Sequence, residues 1–117
     1  MTERVLATFD DLIFNERGLI PAIAQDTDGR VLMVGWMKAD GIRETLETGR
    51  MTYWARSRDE RWVKGESSGS LQHVKEAFYD CDGDVLLFVV EQDGTGACVT
   101  GNYSCFYREL RDLVDPG

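Results

Sequence analysis

The longest unbroken apolar run in the chain is Val85-Leu86-Leu87-Phe88-Val89-Val90, only six residues. A membrane-spanning helix needs about 20, so none is expected. A run of this length between turn residues reads as a buried strand. Asp82-Gly83 stands just before it, a strong two-residue hairpin signal. Residues 71–80 then form the partner strand, and residues 85–91 the apolar one.

The rest of the chain repeats this grammar. Residues 19–24 and 31–36 read as strands across Asp26-Thr27-Asp28-Gly29. Aromatic content marks a strand over residues 51–57, and a last strand is expected over 104–110. Residues 8–14 suggest a short helix. Asp40 can cap a longer one ending at Thr48, with Gly49 as its stop. Ile42 and Leu46, one turn apart, would supply its buried stripe. The expectation is one α+β domain over residues 1–117: about six strands, a mainly antiparallel sheet and one clear helix. At 117 residues the chain can build one core, though a subunit interface would help it.

Charge narrows the partners. The net charge is −8, which repels a phosphate backbone, so nucleic-acid binding is not expected. Between Arg50 and Lys64, however, five basic residues face only Asp59 and Glu60. This +3 island in an acidic chain suits a small anion. The first residues, Met1-Thr2-Glu3-Arg4-Val5, lack a charged-then-apolar leader, so a cytoplasmic location is expected.

Three constellations could carry chemistry. In Asp80-Cys81-Asp82-Gly83-Asp84, an extended chain would put three carboxylates on one face and Cys81 on the other. Three oxygen donors suit Mg²⁺ and a thiolate suits Zn²⁺; the same residues also make an ordinary acidic turn. Cys98 and Cys105 follow at a spacing too wide for a zinc knuckle. They read either as metal ligands or as small buried hydrophobes. Finally, Trp54, Arg56 and Arg58 would share one face of a strand. Two guanidiniums side by side can grip a phosphate, and the Lys64-Gly65-Glu66-Ser67-Ser68-Gly69 stretch offers N–H and hydroxyl groups to the same anion. A solvated basic edge is the alternative. His73 reads as a strand residue, not a ligand.

Together these blocks resemble the phosphoribosyl-AMP cyclohydrolase family of histidine biosynthesis. The resemblance runs through Gly18-Leu19-Ile20-Pro21-Ala22-Ile23-Ala24-Gln25-Asp26, Gly35-Trp36-Met37, Arg56-Ser57-Arg58, Trp62-Val63-Lys64-Gly65-Glu66-Ser67-Ser68-Gly69, Asp80-Cys81-Asp82-Gly83-Asp84 and Ser104-Cys105-Phe106. It implies hydrolytic opening of the six-membered adenine ring of phosphoribosyl-AMP. It implies Asp80, Asp82 and Asp84 as Mg²⁺ ligands. It implies Cys81, Cys98 and Cys105 as zinc ligands, with Cys81 reaching across a homodimer. Three protein ligands would leave the zinc an open position for water. Arg56, Arg58, Lys64, Ser67 and Ser68 are then substrate-binding candidates.

Two positions depart from the family pattern, which carries histidines where this chain has Ser70 and Val99. Histidine is the usual proton carrier near neutral pH. Its loss implies lower turnover, with Glu66 or water covering proton transfer. It also leaves open a divergent paralogue acting on another purine-like nucleotide, or a non-catalytic metal- or nucleotide-binding module.

Overall fold

A computed structural model describes residues 8–94, 96 and 101–114. Four strands form the main sheet: β1 (Ile20–Asp26), β2 (Val31–Met37), β5 (Gln72–Tyr79) and β6 (Leu86–Gln92), in the order β2-β1-β6-β5. Helix α1 (Ala39–Thr48) follows β2, and a separate ribbon pairs β3 (Thr52–Ala55) with β4 (Glu60–Val63). The fold is α+β with one helix, and every ladder is antiparallel except β1–β6.

That parallel ladder is the centre of the core. Ile20, Ala22 and Ala24 alternate inward on β1, and Leu86, Phe88 and Val90 do so on β6. Ala22 pairs with Leu86 and Ala24 with Phe88, so each large side chain lies beside a small one. Leu32, Met33, Met37, Ile42, Met51 and Tyr53 complete the cluster. The β1–β6 ladder starts at Ala22, just past Pro21, which has no N–H to give it.

Several local expectations change. The helix starts at Ala39 with Lys38 at its N-cap, which places Asp40 in the first turn. There its carboxylate faces the helix's positive end and pairs with Arg43 at 3.3 Å. Gly49 ends the helix in the left-handed region, as expected. The buried stripe uses Ile42 and Thr45, while Leu46 is 56% exposed. Thr45 is tolerated inside because its hydroxyl donates to the Gly41 carbonyl at 2.7 Å and accepts the Thr52 N–H at 3.0 Å. Residues 8–14 make only the 3₁₀ turn Phe9–Asp11, fastened by the Thr8 N–H donating to Asp11 at 2.9 Å.

The strand expected over residues 104–110 does not form; the chain there is irregular, then a 3₁₀ turn spans Leu110–Leu113. The Cys105 N–H does reach the Leu32 carbonyl of β2 at 2.7 Å. The neighbouring Val31 carbonyl, however, accepts the Ser104 hydroxyl at 2.8 Å. The second tie to β2 is thus made by a side chain and not by a backbone ladder.

Candidate functional site

The turn between β5 and β6 is six residues wide, not two: Tyr79 and Leu86 form the last ladder pair. Asp80 organises it. Its N–H donates to the Val85 carbonyl at 3.1 Å, and its carbonyl accepts the Gly83 N–H at 3.0 Å. Its carboxylate accepts the N–H groups of Asp84 and Val85 at 3.1 and 3.3 Å. Gly83 lies at φ +71°, and a Cβ there would stand 2.2 Å from the Asp11 carbonyl oxygen. Only glycine allows that approach. The Ile13 N–H donates to the Gly83 carbonyl at 2.7 Å, so the 3₁₀ segment props the turn.

The chain here is not extended, yet the three carboxylates still converge. Asp80, Asp82 and Asp84 are all exposed, and each offers an oxygen within 4.8 Å of the others. A loop that wraps around Asp80 achieves what alternation along a strand was expected to do. Partial desolvation raises both Asp80 and Asp84. For Asp80 the donated N–H groups outweigh it and hold the carboxyl below its usual range. Asp84 is raised further by its hydrogen bond to Asp80 and by the charges of Asp80 and Asp82. Three crowded carboxylates of this kind fit a hard divalent cation, whose charge offsets their repulsion. Cys81 sits exposed in the same loop, and Cys105 is exposed beyond β6. Cys98 and Val99 lie outside the described residues. Thiols in general suit a softer ion such as Zn²⁺, but among the described residues no group of three possible ligands includes Cys81 or Cys105.

The basic candidates are arranged differently from the sequence reading. β3 ends at Ala55, so Arg56 and Arg58 lie in the turn before β4 and do not share a strand face. A four-residue turn with Asp59 at φ 51° closes the ribbon. The Arg56 guanidinium covers the Trp36 ring at 4.6 Å, and Arg58 pairs with Glu60 at 2.7 Å. Lys38 covers Trp54 at 3.8 Å. Lys64 is only 6% exposed. Glu66, Ser67 and Ser68 are exposed on the turn after β4, and Ser70 is buried beside Gly94. His73 pairs with Asp93 at 2.6 Å on the surface, in keeping with a strand residue.

One group escaped the sequence reading: a line of buried polar side chains. The Tyr53 hydroxyl donates to Gln72 Oε1 at 2.8 Å, and Gln72 Nε2 donates to Gln92 Oε1 at 2.9 Å. Gln92 Nε2 donates to the Tyr103 carbonyl at 3.1 Å. The Tyr103 hydroxyl in turn donates to Asp26 at 2.7 Å. That bond, with burial and the charges of Asp26 and Asp28, pushes Tyr103 up to about 12. The available signal was Gln72 itself, an amide at a strand position next to Leu71. A buried amide is a demand for partners.

Fold and loop chemistry together define a small α+β protein with a carboxylate cluster suited to a divalent cation. The chain belongs to the phosphoribosyl-AMP cyclohydrolase family, whose model matches residues 33–107. A phosphoribosyl-AMP cyclohydrolase of Rhodospirillum centenum is 54% identical over 114 residues, covering 96% of this chain and 85% of the relative. One from Trichormus variabilis is 56% identical over 106 residues, covering 90% and 91%. The histidine biosynthesis bifunctional protein HisIE of Thermosynechococcus vestitus is 56% identical over 100 residues, covering 85% of this chain and 47% of its own length.

Proposed function

We propose that this chain adds water to phosphoribosyl-AMP and opens the six-membered ring of its adenine, a step of histidine biosynthesis. Family membership carries the reading, and the convergence of Asp80, Asp82 and Asp84 supports it. These three carboxylates would hold Mg²⁺, and Cys81, Cys98 and Cys105 would hold Zn²⁺. A bound metal supplies Lewis-acid activation of water and charge neutralisation at the reacting ring.

The chain's own residues do the rest. Arg56, Arg58, Ser67 and Ser68 are exposed groups available to the ribose phosphate, whereas Lys64 is buried and could serve only if the surface around it opens. The Arg56 guanidinium is held over the Trp36 ring, so less freedom is lost when an anion arrives. With Ser70 and Val99 in place of histidines, Glu66, exposed on its turn, is the candidate proton carrier. The active unit is a homodimer in the cytoplasm. An apolar groove lined by Phe9, Leu12, Ile42, Val74 and Phe88, with Leu46 and Phe78 more than half exposed on it, supports pairing with a second copy. Among the described residues no helix is long and apolar enough to cross a membrane.

The test is turnover of phosphoribosyl-AMP by the purified chain, read with both metals and after chelation. Ring opening that is lost on chelation and returns with Zn²⁺ and Mg²⁺ is the expected result. No turnover under any metal condition would overturn the reading.

A further inference from the structure

We propose that Gln72 and Gln92 are positioning residues for Cys105: with Tyr53 they form a polar relay that fixes the segment on which this thiol is carried. The two glutamines face one another as the first ladder pair of β5 and β6. Gln72 is fully buried and Gln92 half-buried. Both ends of each side-chain amide are engaged.

The direction of the relay follows from its far end. A carbonyl can only accept, so Gln92 must turn its NH₂ toward Tyr103. Its oxygen then faces Gln72, which must answer with its own NH₂. The Gln72 oxygen is left facing Tyr53, whose hydroxyl must donate. Each amide therefore has one permitted orientation, and a buried amide set the other way would meet like against like. Burial raises the Tyr53 hydroxyl and keeps its proton in place. Tyr53 is thus held as the donor that the relay needs. The relay starts at the buried Tyr53 hydroxyl and ends on the backbone two residues before Cys105.

The segment needs such an anchor because it has no ladder of its own. Ser104 and Cys105 are tied to β2 at the Val31 and Leu32 carbonyls, at 2.8 and 2.7 Å. Gln92 adds a hold from the opposite side, on β6. The chemical consequence rests on the proposed function, in which Cys105 is a metal ligand. A ligand thiol must be placed to within a fraction of an ångström, and supporting hydrogen bonds typically change metal affinity by about 10–100-fold.

Gln92→Leu removes the last link at a half-buried position. Amide hydrogen exchange in the metal-free chain reads the anchoring directly. The Cys105 N–H should exchange about twofold to tenfold faster, the worth of one lost hydrogen bond. The N–H groups of Asp84 and Val85 in the acidic loop, which no bond of the relay reaches, should be unchanged. In the unaltered protein, the side-chain NH₂ protons of Gln72 and Gln92 should be protected, a check that needs no variant. Cobalt(II) titration of the full chain supplies the metal readout: thiolate-to-cobalt absorption should form at higher cobalt concentration in Gln92→Leu. Unchanged Cys105 exchange, unprotected glutamine NH₂ protons, or an unchanged cobalt titration would each overturn the proposal. Absence of that absorption in the unaltered chain would instead overturn the thiolate metal site, while exchange still judges the relay.

Discussion

The loop over residues 80–85 and the segment over residues 101–106 each present candidate metal ligands, but they are held in different ways. The first is closed largely by itself: Asp80 bonds Gly83, Asp84 and Val85, all within five residues. The second makes contacts with partners far away in sequence. Tyr103 reaches Asp26, Ser104 reaches Val31, and Cys105 reaches Leu32. A self-closed loop can form as soon as its hairpin does. A segment with distant partners must wait for the sheet, because distant contacts carry the larger closure entropy. The acidic cluster is therefore a local product of its sequence, and the place of Cys105 is a product of the whole fold.

The largest expected effect attacks the acidic loop at its support from residues 11–13. Gly83→Ala forces a Cβ onto the Asp11 carbonyl and strains a left-handed backbone. The expected cost is about 2 kcal/mol or more, a fall of roughly 8 °C or more in Tm. Magnesium affinity, measured by calorimetric titration, should fall with it as the three carboxylates spread. A normal Tm would mean that the 3₁₀ segment yields freely and that the loop is wholly local.

Next comes Tyr53→Phe, which leaves the buried Gln72 oxygen without its donor. An orphaned buried acceptor costs about 1–3 kcal/mol, here roughly 4 °C or more of Tm. Magnesium affinity should not change, since no bond of the acidic loop passes through the relay. Loss of magnesium binding in this variant would break the comparison by coupling the two regions.

The same contrast explains what was legible in the sequence. The acidic cluster, the helix stop at Gly49 and the β5–β6 hairpin all rest on residues a few positions apart, and each could be read directly. Even there, the width of the hairpin was missed. Asp-Gly signals a turn, but the carboxylate of Asp80 gathers N–H groups that widen it. The parallel β1–β6 ladder joins strands whose sequences say nothing about each other. Leu46 kept the right helical spacing but faces out, because Thr45 found hydroxyl partners that periodicity does not register. The strand expected over residues 104–110 failed for a related reason: Ser104 took a β2 carbonyl by side chain. The candidate ligands were named from family motifs. The relay was not legible, because each of its links depends on tertiary pairing.

The smallest effect separates distance in sequence from burial as the reason a contact matters. Arg61 on β4 holds Glu44 on α1 through two hydrogen bonds across 17 residues. This contact is long-range like those of the cysteine segment, but the Arg61 side chain is 54% exposed. Exposed pairs gain little, because water already solvates both charges and salt screens them. Glu44→Gln should therefore lower Tm less than Tyr53→Phe does, and added salt should shrink the difference further. The pH dependence has a definite sign. The hydrogen bond to Arg61 holds the Glu44 carboxyl below its ordinary 4.5. Its contribution is then present above that value and is lost as pH falls through the lower folded value. The unaltered chain and Glu44→Gln should accordingly converge in Tm as the solution is acidified below about 4.5. If Glu44→Gln instead costs as much as Tyr53→Phe, sequence distance and not burial would govern these contacts, and the contrast between the two regions would need another basis.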